Sequence, residues 1–132
     1  MSQENVEIAR LMSEYFNRGD REAFQRLIAP DAEIIPLRAA LEGTVYRGPS
    51  SSSHFWADVD ESWETIGFDL EEIRDLGDRV LLTGRLRGKA RQTGVEVDSR
   101  IGLIASLAKG QVTHFRTYAS VAEALEAPGW RE

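Results

Sequence analysis

The 132-residue chain contains no cysteine. That excludes disulfides, thiolate nucleophiles and any zinc site with sulfur ligands, and it suits a reducing, cytoplasmic location. Histidine occurs twice, at positions 54 and 114, without HxxxH-type spacing, so no metal site is expected. Positive charge is scarce: 16 Lys and Arg against 22 Asp and Glu leave a net charge of −6. A surface that tracks phosphates needs clustered basic residues, so nucleic acid is not an expected partner. The one local concentration of cations is Arg85, Arg87, Lys89 and Arg91. No run approaches the roughly 18 consecutive apolar residues of a membrane helix. The opening MSQENVEIAR lacks the apolar centre of a signal peptide, so neither membrane nor secretion is expected.

An apolar content of 42% with 29% charged residues is that of a globular protein, and the length suits one core and one domain over 1–132. Ser2 can cap a first helix, with Glu4 and Glu7 near its positive end. Val6, Ile8, Ala9, Leu11, Met12, Tyr15 and Phe16 recur at helical spacing, and Gly19 fits a C-terminal cap. Asp20 caps a short second helix that buries Ala23, Phe24, Leu27 and Ile28 and ends at Pro30. Residues 32–37 read as a short strand in which Pro36 implies an edge or a break. Residues 41–53 form a loop whose serines lead into a third helix, with Phe55, Trp56, Val59 and Trp63 on one face.

From Thr65 the apolar period falls from 3.6 to 2, giving strands over 66–75, 78–89, 94–107 and 110–119. Turn residues at 75–78 and 108–110 pair neighbours as antiparallel hairpins. Ser120 and Glu123 form a capping box that opens a short final helix, ended by Pro128-Gly129. Helices first and a meander afterwards predict an α+β fold, with helices against one face of a curved sheet.

The ordered pieces YFNRGD, LIAPDAEI, YRGP, GDRVLLTGRLRGKARQTGVEVD and KGQVTHFRTYASVAEALEAPG cover nearly the whole chain. Together they resemble the SnoaL-like branch of the nuclear transport factor 2-like superfamily, which includes ketosteroid isomerase, limonene epoxide hydrolase and polyketide cyclases. The resemblance implies a cone: a curved antiparallel (mixed) sheet with helices packed on its concave face and a pocket open at one end. It also implies no cofactor, and a homodimer through the outer sheet face.

Alternation points Ile101, Leu103, Ala105 and Leu107 inward and Asp98 and Arg100 outward. The family register adds Ile34 and Pro36, Thr83, Arg85 and Arg87, and Thr113, Phe115 and Thr117 to the inner face. The expected pocket is composed of Met12, Phe16, Phe55 and Val59 from the helices with Ile34, Pro36, Thr83, Arg85, Arg87, Ile101, Leu103, Phe115 and Thr117 from the sheet.

The enzymes' catalytic groups are largely replaced. The general-base Asp of the ketosteroid isomerases matches Pro36, and their oxyanion-hole Tyr matches Met12. Of the limonene epoxide hydrolase set, the Arg matches Arg85. The two Asp match Arg87 and Thr117, and the Tyr and Asn match Ile34 and Pro36.

Arg85 and Arg87, two residues apart and so on one strand face, have two readings. They bind an anionic group of a small apolar ligand by forked hydrogen bonds, or they extend into solvent where the strand leaves the cone. His54 is either an acid or base at the pocket mouth or plain helix surface. In the family register His114 falls on the outward face, at a dimer interface or plain surface; a register shifted by one would instead make it a catalytic candidate. Trp56, Trp63, Tyr15 and Phe16 are core or cavity wall, and Tyr46 is a loop anchor or a residue of the mouth. Three functions follow: binding of a small apolar, in one version anionic, molecule; a cofactor-independent isomerase, cyclase or hydrolase of polyketide- or terpenoid-like substrates; or a non-catalytic dimeric interaction module.

Overall fold

A computed structural model describes residues 2–36, 43 and 45–126, apart from the Ser2 side chain. Helix α1 spans Ser2–Arg18 and α2 spans Arg21–Arg26; strand β1 is Ile28–Ile35 and β2 is Tyr46–Arg47. Helix α3 covers Ser51–Ser62. Strands β3 (Trp63–Asp75), β4 (Val80–Ala90), β5 (Glu96–Ala108) and β6 (Gln111–Tyr118) follow, and α4 (Val121–Glu126) closes the described chain. The expected stop at Pro128-Gly129, and Leu37 at the end of the first expected strand, lie outside the described residues.

The six strands form one mixed sheet in the order β2-β1-β6-β5-β4-β3. Every neighbouring pair is antiparallel except β1 and β6, which run parallel. The sheet curls around α1, α2 and α3, and the main core lies between them, built on Met12, Phe24, Ile34, Phe55, Trp56, Leu82, Ile101 and Phe115. Burial of this apolar face is what holds helices to sheet. A second, smaller core lies on the outer face, where α4 packs Ala124 on Leu81 and Ile104. Gly102 makes room for it: a Cβ there would stand 2.9 Å from the Ala124 Cβ.

Local signals explain most boundaries. Gly19 takes φ +68° and ends α1. Asp20 then caps α2, its Oδ1 accepting from the Ala23 N–H at 3.2 Å. The Ser120 hydroxyl accepts from the Glu123 N–H at 3.1 Å and opens α4. No helix among the described residues is long and apolar enough to cross a membrane.

Two expectations are corrected here. Helix α2 stops at Arg26 rather than at Pro30, and Pro30 lies inside β1. The sheet captures the chain early, with the Leu27 carbonyl accepting from the Val112 N–H at 2.7 Å. The β1–β6 register then shifts between Ile28 and Glu33, an irregularity that suits a proline without an N–H. Trp63 begins β3 instead of ending α3: its backbone is extended, and it pairs with Ala90.

Candidate functional site

A cavity of about 710 Å³ lies between α1, α3 and the concave sheet face. Helix α1 contributes Met12, Ser13 and Phe16, one turn of a single face. Helix α3 contributes Phe55, Asp58, Val59 and Ser62, at i, i+3, i+4 and i+7. The sheet supplies Trp63, Ile66 and Phe68 from β3, Leu82, Leu86 and Ala90 from β4, Ile101 and Leu103 from β5, and Phe115 and Thr117 from β6. Phe24 and Pro36 complete the wall, while the exposed Glu61, Gln92 and Thr93 line its outer part.

The aromatic side chains pack on one another: Phe24 stacks on Phe55 at 5.4 Å between ring centroids, and Phe55 meets Phe115 edge-on at 6.2 Å. Trp56 lies behind this wall in the core, against Phe16, with the Arg21 guanidinium 4.7 Å from its ring centre. Arg21 also bonds Asp60, which holds the Asp60 carboxyl below the usual carboxylate range and ties α2 to α3 outside the cavity.

Of the residues expected at the pocket, Met12, Phe16, Pro36, Phe55, Val59, Ile101, Leu103, Phe115 and Thr117 line the cavity. Ile34 is fully buried in the core but does not reach it.

Strand β4 departs from the expected register. Leu82 pairs with Leu103 and Gly84 with Ile101, so the even positions of β4 face inward. Thr83, Arg85 and Arg87 consequently lie on the outer face. The slip is one residue, which is enough to reverse every side chain of a strand. Thr83 is buried opposite Gly102, on the side covered by α4. The Arg85 Nε donates to Asp98 Oδ1 at 2.8 Å, and Arg87 stands 3.2 Å from Asp69. The positional match of Arg85 to an epoxide-hydrolase arginine lapses with the register.

His54 is exposed on α3 and packs against the Tyr46 ring at 5.7 Å between centroids, away from the cavity wall. His114 is on the outer face, with its Nε2 3.9 Å from Glu33. Thr113, expected inward, donates its hydroxyl to the Ser106 carbonyl at 3.2 Å beside the irregularity in the β5–β6 register. No group of three or more His, Asp or Glu among the described residues is arranged to hold a metal ion.

Sequence reasoning missed Asp58. It is 7% exposed and its side chain lines the cavity. The signal was present: a carboxylate at i+3 from Phe55 and adjacent to Val59, on the helix face that carries both apolar residues. Ser62, one turn further, has a buried hydroxyl with no hydrogen-bond partner among the described residues. A carboxylate and a hydroxyl in an apolar wall can accept hydrogen bonds, hold a cation or pass a proton.

The family model of the SnoaL-like domain matches residues 8–115. An NTF2-like protein of unknown function from Burkholderia pseudomallei K96243 superposes with a TM-score of 0.78 at 19% identity, over 92% of this chain and 95% of that one. TerC, co-crystallised with polyporic acid, gives 0.77 at 18% identity over 93% and 96%. A candidate SnoaL-like polyketide cyclase from Jannaschia sp. CCS1 gives 0.74 at 24% identity over 96% and 94%. These likenesses establish a shared fold. Comparison with the curated proteins yields no match.

Proposed function

We propose that this chain, which belongs to the SnoaL-like domain family, binds a small, predominantly apolar molecule in the cavity between α1, α3 and the sheet. The observation that carries this reading is the cavity itself. Its volume of about 710 Å³ falls within the roughly 300–1,000 Å³ of small-molecule sites, and a few polar groups stand in a mainly apolar wall. The co-crystallisation of TerC with polyporic acid supports a small-molecule occupant by analogy of fold. A homodimer through the outer sheet face and a cytoplasmic location belong to the same proposal. Light scattering that returned the 14.8 kDa chain mass would refute the dimer.

The test is displacement of an environment-sensitive apolar dye, with Leu103→Trp and Val59→Phe as variants that fill the cavity. Filling it should weaken dye binding by about tenfold or more, since excluding two CH2-sized groups of the dye from the apolar wall costs about 1.6 kcal/mol. Undiminished binding in a variant with native circular dichroism would overturn the reading, as would failure of the wild type to bind.

A second reading, a cofactor-independent isomerase, cyclase or hydrolase of polyketide- or terpenoid-like molecules, is favoured by one observation. Asp58 brings a buried carboxylate to the cavity wall, on the helix face it shares with Ser62. In that reading Asp58 is the group that moves the proton. Turnover retained in Asp58→Asn would remove it from that role.

A further inference from the structure

We infer that the β4–β5 turn, residues 91–95, is the specificity-determining lip of the cavity, pinned in place by Arg91 as a positioning residue. On that lip Gln92 meets an uncharged hydrogen-bonding group at the outer end of the bound molecule. The inference rests on the cavity being a ligand site. Met12, Ile101, Leu103 and Phe115 are buried at its inner end. Glu61, Trp63, Ile66, Ala90, Gln92 and Thr93, half-buried or exposed, form its outer end. There the close of α3, the start of β3 and the β4–β5 turn come together, with Trp63 paired to Ala90.

The last carbonyls of a helix lack partners within it, and at the end of α3 Arg91 supplies donors. Its backbone N–H donates to the Ser62 carbonyl at 3.0 Å, and its Nε to the Asp60 carbonyl at 2.8 Å. A third bond runs from its guanidinium to the carbonyl of Trp63, the first residue of β3, also at 2.8 Å. The planar fork suits two acceptors held in fixed positions. The turn is closed on itself as well. The Ala90 N–H donates to the Val95 carbonyl at 2.8 Å and the Gly94 N–H to the Ala90 carbonyl at 2.9 Å. Gly94 takes φ +72°, the left-handed conformation that favours glycine. Of the two turn residues that line the cavity, Thr93 commits its hydroxyl to the turn, accepting from the Val95 N–H at 3.2 Å. The exposed Gln92 amide, which can both donate and accept, is the group the lip presents to a ligand. The molecule that fits has an apolar body for the aromatic interior and an amide, ester, ketone or hydroxyl at the mouth.

Two probes test the inference by displacing the dye from the folded protein: naphthalene, and naphthylbutanamide, which carries an uncharged amide on a short arm. Gln92→Ala should weaken naphthylbutanamide about threefold to tenfold, the usual loss of one neutral hydrogen bond, and naphthalene by less than about twofold. Arg91→Ala releases the lip and should weaken naphthylbutanamide to the same degree. The double variant should bind it no more weakly than either single variant, because Gln92 acts only from a pinned turn. Should Arg91→Ala fail to fold, Gln92→Ala at its exposed position still tests the lip. Equal losses for the two probes in folded Gln92→Ala, or no loss for the amide, overturn Gln92 as the specificity residue. Additive losses in the double variant overturn the positioning role of Arg91. With the dye still bound by the wild type, these results leave the ligand site standing. Failure of the wild type to bind the dye and both probes overturns the ligand site itself.

Discussion

The side-chain amide of Asn17 holds both backbone groups of Phe68. Its Nδ2 donates to the Phe68 carbonyl, and its Oδ1 accepts from the Phe68 N–H, each at 2.8 Å. Strand β3 is an edge strand whose partner is β4, so at Phe68 the amide takes the place of a missing neighbour. The same contact fixes the end of α1 against the strand whose Phe68 ring lines the cavity.

Removing that amide leaves two half-buried backbone groups without their partner. Asn17→Ala should therefore lower stability by about 1–3 kcal/mol, read from the midpoint of urea unfolding at unchanged slope. Asn17→Asp should recover only part of the loss, because it keeps an acceptor for the N–H and sets a carboxylate against the carbonyl. A shift below about 0.5 kcal/mol, the scale of ordinary surface changes, would mean that water replaces the amide at no cost.

Gly84 is required by close approach rather than by backbone conformation. A Cβ there would lie 2.2 Å from the Asp69 carbonyl oxygen and 2.9 Å from the Phe68 ring. Gly88 is similarly crowded, with a Cβ 2.7 Å from the Thr65 oxygen and 2.9 Å from the Trp63 ring. The two glycines of β4 thus let Phe68 and Trp63 lie against the strand and form one side of the cavity. Gly84→Ala should destabilise by about 1–3 kcal/mol or more through overpacking against backbone, and should weaken dye binding in the cavity of whatever fraction remains folded. An unfolding midpoint equal to wild type would show that β3 can move aside freely.

The sequence made the architecture legible because its signals are local and repeated. The Gly19–Asp20 punctuation, the Ser120 cap and the period-2 run after Thr65 each specify an element without reference to distant residues. What failed was relational. The inward face of β4 depends on how Val80 pairs with Asp75 and Ala105, and a family register misplaced by one residue carried Thr83, Arg85 and Arg87 to the wrong side. The strand's own alternation, Leu82 and Leu86 apolar against Arg85 and Arg87 charged, favoured the observed arrangement. Asp58 escaped for a related reason: one of three carboxylates on a helix, with Asp60 and Glu61, it resembles surface until the cavity is seen beside it.

The outer position of the two arginines has its own consequence. Arg85→Ala and Arg87→Ala remove exposed ion pairs, which are each worth about 0–1 kcal/mol. Both variants should keep near wild-type melting temperatures and unchanged affinity for dye and for naphthoate. Loss of naphthoate binding in Arg85→Ala would return the arginine to the cavity and contradict the β4 register.

Tyr118 should give the protein a pH dependence at the alkaline end. It packs against Leu81, Ile104 and Ala124 on the outer face, and burial pushes its phenol above the usual tyrosine value, although the Arg116 and Arg79 cations pull the other way. The Arg116 guanidinium lies 5.0 Å from the Tyr118 ring centre. Below the ordinary tyrosine value the phenol is protonated in both folded and unfolded chains, and the folded state keeps its full advantage. As pH rises past that value the unfolded chain releases the proton first, so stability falls until the folded phenol also ionises. Urea midpoints measured from about pH 8 to about pH 11 should decline more steeply for wild type than for Tyr118→Phe, since a free tyrosine titrates near 10. Parallel curves would mean that Tyr118 ionises alike in the folded and unfolded chains, and that its burial on the outer face carries no energetic weight in the protonation equilibrium.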